Sequence, residues 1–146
     1  MKLAVIGSAL AGGAVQIIDI LLEDQLASDI RIYDDSHEAQ GHNVLGVPVV
    51  GTCDRLSQDI SDLLVDSAVI AVGSILPRSN LYLKYSQTSL DFPSIISSAA
   101  NISKSATFGR GNIFLPGVYI GPRAIIADNN SFTTATAINH DTVIGS

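Results

Sequence analysis

The sequence predicts an α/β plus β-helix chain: an N-terminal Rossmann-like parallel sheet with flanking helices, followed by the first coils of a parallel β-helix. Three observations support this. Short apolar runs alternate with segments of helical periodicity over residues 1–98. Glycine follows apolar runs at Gly7 and Gly73, as expected where buried strands end. From residue 102 onward a large apolar residue recurs at every sixth position. We therefore expect two domains, residues 1–98 and 99–146.

The first strand and helix are predicted close to the N-terminus. Residues 3–6 form a continuous apolar run, which is typical of a strand buried on both faces of a parallel sheet. A glycine-containing loop follows over residues 7–13, and apolar residues then recur at helical spacing to about Leu26. The unit is therefore strand, loop, helix.

The same alternation continues through the first domain. Further strands are predicted at residues 30–33, 47–50, 68–73 and 94–96, with helices over residues 54–64 and 76–85. Pro48 places the third of these strands at or near an edge of the sheet, because proline cannot donate to a neighbour. Alternating strands and helices predict an open parallel sheet with right-handed crossovers.

A candidate ligand site lies at the carboxyl edge of this sheet, where open parallel sheets bind their ligands. Helix N–H groups after a glycine loop can bind a phosphate or sugar oxygen, and a carboxylate at the end of a strand can accept from a ribose or base. The residues at this edge are Gly7, Ser8, Gly12, Asp34, Asp35 and Gly73. Ala9 stands where a dinucleotide fingerprint needs its second glycine, and the residues could instead form only tight turns.

The second domain is predicted from its period. The large apolar positions are Ile102, Phe108, Phe114, Ile120, Ile126, Phe132, Ile138 and Ile144. Mostly small residues stand two positions earlier and share the inward face of each short strand. Glycine or asparagine at the first corner position, as in Gly109, Gly121, Asn139 and Gly145, indicates positive φ there.

Three hexads form one coil, so residues 102–146 supply about 2.5 coils. Because repeat proteins need about three or more units and a cap, we expect the β-helix to be incomplete. The sequence is then a fragment, or a natural truncation whose open end is covered.

His140 is the histidine of the repeat and lies in a corner, with its side chain directed away from the core of the coil. A neutral imidazole there can take a proton from an attacking hydroxyl or amine, and Asp141 can orient it. The alternative is an exposed corner residue without a role. A zinc hydratase needs about three histidine ligands, more than this repeat offers.

Composition excludes several other classes of protein. The net charge of -6 and eight scattered basic residues disfavour binding to nucleic acid. No uncharged run is long enough to span a membrane. The single cysteine, Cys53, cannot form an internal disulfide, so a cytoplasmic setting is expected. Charged residues make up 15% of the chain, against about 25% in an ordinary domain, which suggests apolar surface covered by other chains or segments.

The whole chain resembles the bacterial sialic acid O-acetyltransferase and nucleotide-sugar N-acetyltransferase family (the NeuD and PglD type). The matching stretches are residues 5–8 (VIGS), 33–35 (YDD), 45–51 (LGVPVVG), 71–73 (AVG) together with Arg78, and 138–145 (INHDTVIG). The resemblance implies a homotrimer of left-handed parallel β-helices (hexapeptide repeats) that binds acetyl-CoA between adjacent β-helices and needs no metal. Ala11 replaces the histidine of the family's first loop, and Thr133 replaces a frequent asparagine.

By this resemblance the chain is an acetyl-CoA-dependent acyltransferase that acts on a hydroxyl or amine of a sugar or nucleotide-sugar. His140 would be the general base, assisted by Asp141, and most of the acetyl-CoA site would lie beyond Ser146. Gly7, Ser8, Asp34 and Asp35, with Gly12, Gly73 and Arg78, would contact the acceptor. The alternative is a non-catalytic nucleotide-sugar-binding or assembly module that lacks a complete acetyl-CoA site.

Overall fold

The computed structural model describes residues 1–7 and 9–146 of the chain. It divides into two compact units, Met1–Phe92 and Pro93–Ser146, and each unit is described by itself.

The first unit is built on a five-stranded sheet in the order β3-β4-β2-β1-β5. Its strands are β1 (Lys2–Ile6), β2 (Asp29–Tyr33), β3 (Asn43–Val44), β4 (Val47–Gly51) and β5 (Ser67–Ile70). The pairings among β1, β2, β4 and β5 are parallel, whereas β3 pairs with β4 antiparallel. The short β3, which periodicity did not predict, thus covers the strand that carries Pro48.

Three helices accompany the sheet: α1 (Gly13–Glu23), α2 (Cys53–Ser61) and α3 (Ile75–Tyr85). Apolar residues of α1 such as Ile18 and Leu21 are fully buried, because helical spacing places them on one face. The apolar residues of β1 are likewise fully buried, in agreement with a strand covered on both faces.

The strand order places a topological switch between β1 and β5. The chain proceeds from β1 through β2 to β4 on one side, and then returns to pair β5 on the other side of β1. Loops that leave neighbouring strands in opposite directions open a crevice at this point. The residues after β1 and β5 therefore border the natural ligand position of this sheet.

The second unit is a parallel β-helix with three faces. Its strands are β6 (Ile95–Ile96), β7 (Asn101–Ile102), β8 (Thr107–Phe108), β9 (Ile113–Phe114), β10 (Tyr119–Ile120), β11 (Ile125–Ile126), β12 (Ser131–Phe132), β13 (Ala137–Ile138) and β14 (Val143–Ile144). They form three sheets, β13-β10-β7, β14-β11-β8 and β12-β9-β6, in which paired residues lie one 18-residue coil apart, as in Tyr119 and Asn101. Phe114 and Ile120 are fully buried, and Phe114 stacks on Phe132 with ring centroids 5.1 Å apart.

The strand at residues 94–96 belongs to the β-helix, not to the sheet of the first unit as predicted. Ile95–Ile96 pairs with Ile113–Phe114, and the Ile95 N–H donates to the Asn112 carbonyl oxygen at 2.8 Å. This pairing agrees with the six-residue period, because Ile96 stands six residues before Ile102. The stack thus begins one hexad earlier than the sequence analysis placed it.

Positive φ occurs at the third corner position, not at the first as predicted. Six consecutive hexads place a residue with φ between 58° and 74° there: Gly111, Gly117, Arg123, Asn129, Ala135 and Asp141. Glycine at the first corner position has a different cause, close approach to the neighbouring coil. A Cβ on Gly121 would lie 2.6 Å from the backbone nitrogen of His140.

Across the described residues, 1–7 and 9–146, no helix has both the length and the apolar character needed to cross a membrane.

Candidate functional site

Gly7 closes the carboxyl end of β1 at the switch point. Its N–H donates to the Tyr33 carbonyl oxygen at 2.7 Å, and its φ is 80°. A Cβ on this residue would lie 2.5 Å from Cγ2 of Val72. Glycine is therefore required here both by the backbone conformation and by the neighbouring strand end. Ser8, predicted as a ligand contact, lies outside the described residues.

Asp34 binds the glycine loop. Its Oδ2 accepts from the backbone N–H of Ala9 at 2.8 Å, and its Oδ1 accepts from the backbone N–H of Ser36 at 2.8 Å. The residue is 9% exposed. Both carboxylate oxygens thus hold backbone segments that border the predicted ligand edge, which gives Asp34 a structural role like the alternative stated for these residues.

Asp35 caps α2. Its Oδ1 accepts from the backbone N–H of Cys53, the first residue of that helix, at 2.8 Å. A carboxylate at a helix N-terminus satisfies an N–H that has no partner within the helix and complements the helix dipole. Asp35 itself is exposed.

Arg78 reaches the same edge of the sheet from α3. Its guanidinium is buried and donates to the carbonyl oxygen of Ile70, the last residue of β5. Burial lowers the pKa of Arg78 to about 10, so the side chain stays cationic at neutral pH. A Cβ on nearby Gly73 would contact nothing within 4 Å, and Gly12 has a φ of 85° at the start of α1.

His140 lies at a corner of the β-helix and is directed outward, with a side-chain exposure of 72%. Its Nδ1 lies 2.6 Å from Oδ2 of Asp141. An ionised carboxylate can only accept, so Nδ1 carries the hydrogen in this contact, and in the neutral imidazole Nε2 is then the nitrogen with the lone pair. This is the tautomer that a general base acting through Nε2 requires.

Arg123 completes this cluster and was missed by the sequence analysis. Its Nε and Nη2 donate to Oδ1 and Oδ2 of Asp141 at 2.5 and 2.6 Å. The pKa of Asp141 is lowered by the hydrogen bonds from Arg123 and then from His140. The signal that could have found Arg123 is the coil length, because it stands 18 residues before Asp141, one coil away.

Thr133, which replaces a frequent asparagine of the similar family, contacts another threonine. Its Oγ1 lies 3.3 Å from Oγ1 of Thr136, and the Thr136 hydroxyl donates to the Thr133 carbonyl oxygen at 2.7 Å. Within residues 1–7 and 9–146, no group of three or more His, Cys, Asp or Glu side chains is arranged to hold a metal ion.

Comparison with known proteins gives structural matches only. No protein-family model matches the chain, and no curated protein sequence matches it. A histidine-to-alanine variant of GDP-perosamine N-acetyl transferase from Caulobacter crescentus, in complex with CoA and GDP-perosamine, matches with a TM-score of 0.88 at 24% identity, over 100% of this chain and 66% of that one.

Two further structures match equally broadly. The acetyltransferase domain of PglB from Neisseria gonorrhoeae, in complex with acetyl coenzyme A, gives a TM-score of 0.87 at 23% identity, over 99% of this chain and 68% of that one. PerB from Caulobacter crescentus, in complex with CoA and GDP-perosamine, gives 0.85 at 25% identity, over 98% of this chain and 65% of that one.

The chain thus spans about two thirds of the length of each of these three structures. These structural neighbours are acetyltransferases, among them perosamine N-acetyltransferase, and the stacked short parallel strands fit a left-handed β-helix like that of the neighbours. At these identities the likeness concerns the fold.

Proposed function

We propose that the chain belongs to an acetyl-CoA-dependent transferase that moves an acetyl group to an amine or hydroxyl of a nucleotide-linked sugar, with His140 as general base. The observation that carries the proposal is the His140–Asp141 contact of 2.6 Å on an exposed corner, which leaves Nε2 available to a substrate. The structural neighbours bind CoA and GDP-perosamine, and they favour a nucleotide-sugar acceptor.

The acyl transfer requires little from the protein except proton transfer and the orientation of the reacting groups. Nε2 of His140 accepts the proton of the acceptor amine or hydroxyl as that group attacks the thioester carbonyl carbon. Asp141 holds the imidazole in the Nδ1–H form and stabilises the imidazolium while the C–N or C–O bond forms. The imidazolium then returns the proton to the thiolate released by C–S cleavage. Acetyl-CoA supplies the activated acetyl group.

The first unit provides the acceptor site in this proposal. The glycine loop held by Asp34, the backbone at Gly7 and Gly12, and the open side of Gly73 border the switch point of the sheet. Ser8 and Asp35 add hydrogen-bonding groups, and the cationic Arg78 favours an anionic nucleotide. The first unit, Met1–Phe92, would then form a Rossmann-like acceptor domain, and the second, Pro93–Ser146, the start of the β-helical catalytic part.

The N-acetyl chemistry of perosamine N-acetyltransferase favours an amine over a hydroxyl, although the chain resembles both branches of the family. We further propose a cytoplasmic homotrimer in which neighbouring β-helices border the acetyl-CoA site. The alternative of a non-catalytic binding or assembly module is less favoured, because the matched structures are transferases with CoA or acetyl coenzyme A bound.

The first prediction concerns turnover. We expect the full protein to release free thiol from acetyl-CoA in the presence of a nucleotide-linked amino sugar. His140→Ala should lower kcat by roughly 10²- to 10⁴-fold, the usual contribution of a general base. A thiol-reactive dye measures the rate, and parallel reactions with amino-sugar and hydroxyl-only nucleotides identify the acylated group.

His42→Ala is the matched control, because His42 is an exposed histidine of the first unit. It should retain wild-type turnover. Unchanged kcat in His140→Ala would refute the assignment of the base, and calorimetric binding of nucleotide-sugar without any binding of acetyl-CoA would favour the non-catalytic module.

A further inference from the structure

Arg123 and Asp141 occupy equivalent corners of consecutive coils. Both stand at the third corner position, with φ of 59° and 58°, so their side chains leave the β-helix one above the other. The Arg123 guanidinium spans both oxygens of Asp141, at 2.5 Å from Nε and 2.6 Å from Nη2. This two-pronged geometry fixes the plane of a carboxylate, which a single donor does not.

The same carboxylate orients His140. Oδ2 of Asp141 accepts hydrogen bonds from Nη2 of Arg123 and from Nδ1 of His140, and both donor–acceptor distances are 2.6 Å. The three side chains are 70%, 46% and 72% exposed for Arg123, Asp141 and His140, so packing restrains them little. Their orientation therefore depends on these polar contacts.

The backbone beneath the corner adds rigidity. The Gly121 N–H donates to the Ile138 carbonyl oxygen at 2.8 Å, and the Asp141 N–H donates to the Pro122 carbonyl oxygen at 3.0 Å. The Arg123 N–H in turn donates to Oγ of Ser105, one coil earlier, at 3.2 Å. Residues 121–123 thus support the corner that carries His140.

We propose that Arg123 is a positioning residue for the acyl transfer, which acts through Asp141 to hold His140 as the Nδ1–H tautomer with Nε2 directed to the acceptor. The inference rests on the proposed function and deepens it. By binding both oxygens, Arg123 fixes the plane of the carboxylate and keeps Oδ2 of Asp141 beside Nδ1 of His140. A mobile carboxylate would let the imidazole turn, or carry its hydrogen on Nε2, where it cannot act as a base.

The test combines spectroscopy with kinetics. In the nitrogen-15-labelled chain, the Nδ1 and Nε2 shifts of His140 report its tautomer without any substrate, and His140→Ala assigns its signals among the three histidines. Arg123→Ala should lower the Nδ1–H fraction. In the full protein it should lower kcat roughly 10-fold, a part of the usual general-base contribution, with KM little changed. Arg123→Lys should recover part of the Nδ1–H fraction and part of kcat, because lysine keeps the positive charge but lacks the two parallel donors of the guanidinium.

Arg110→Ala is the matched control, because it removes an exposed arginine from another corner of the same β-helix. It should change neither readout. If Arg123→Ala leaves the tautomer and kcat unchanged while His140→Ala is inactive, the inference fails and the proposed function stands. A rise in KM alone in Arg123→Ala would identify Arg123 as a ligand contact and would also overturn the inference. Full turnover in His140→Ala would overturn both.

Discussion

Asp59 is a buried carboxylate whose partners join α2 to β2. It is 1% exposed, accepts from the Tyr33 hydroxyl at 2.7 Å and pairs with Nε of Arg55 at 2.6 Å. Burial alone would raise the pKa of Asp59, but the hydrogen bonds from Arg55 and Tyr33 outweigh it, and the net pKa is lowered. A buried charge of this kind is stable only while its partners remain.

Tyr33→Phe should therefore destabilise the protein. The change removes one donor to a buried carboxylate and leaves the ring volume almost intact, so we expect a loss of about 1.5 to 3 kcal/mol in the free energy of unfolding. Urea unfolding monitored by circular dichroism measures it. Tyr119→Phe, at a 40% exposed position, is the control and should change the stability by less than about 0.5 kcal/mol. Equal stability of the two variants would show that Asp59 does not depend on the Tyr33 hydroxyl.

At the scale of the element, the corner of the β-helix combines two requirements that look alike in the sequence. The third corner position needs a left-handed backbone, which Arg123 and Asp141 adopt although they are not glycine. At Gly121, a first corner position, the requirement is the absence of a side chain, because a Cβ there would lie 2.8 Å from the Asn139 carbonyl carbon as well as close to His140. Such a clash with backbone cannot be relieved by a rotamer change.

Gly121→Ala should displace the His140 corner. Since φ is ordinary at this position, the whole effect comes from the close approach, and we expect a loss of about 1 to 3 kcal/mol, as for other overpacked sites. Gly73→Ala is the control: φ is also ordinary at this glycine of the first unit, and a Cβ there would contact nothing within 4 Å. Thermal or urea unfolding compares the two variants, and a similarly small loss in both would contradict the close approach.

For the whole molecule, charge decides how stability responds to pH. The chain has 14 acidic and eight basic residues, and three acids of the first unit, Glu38, Asp59 and Asp66, have lowered pKa values. For Asp66 the cause is the hydrogen bond from the Ser67 hydroxyl, at 2.7 Å, with a further bond from the Lys2 backbone N–H, at 2.9 Å. All three groups are thus more acidic in the folded chain than in the unfolded one.

Acid should therefore unfold the first unit. Below the unfolded-state pKa of about 4, these carboxylates are protonated in the unfolded chain but still ionised in the folded chain. The free energy of unfolding therefore falls as the pH decreases towards the folded-state pKa values. Above that pH this contribution is fully present. Urea midpoints at neutral pH and at about pH 3.5 measure the loss. Asp59→Asn should be less stable at neutral pH and should lose less on acidification, whereas an identical pH slope would exclude Asp59 as a source.

The sequence by itself determined the repeat, the alternation of strands and helices, and the corner that carries His140. These features come from local patterns: a period of six, apolar runs, and the residue types at corners. The resemblance to sugar acetyltransferases agrees with structural neighbours that carry the fold. The period of six also includes Ile96. Residues 94–96 were predicted instead as the last strand of the first domain, because they follow a predicted helix.

Only the tertiary structure decided which residues meet. Asp34 binds Ala9 across 25 residues, Asp35 caps a helix that begins 18 residues later, and Arg123 reaches Asp141 one coil away. Pairs so far apart follow from strand order and from the registry of the coils, not from the spacing of residue types along the chain. For that reason the sequence pointed to His140, and the fold revealed the arginine that holds its partner.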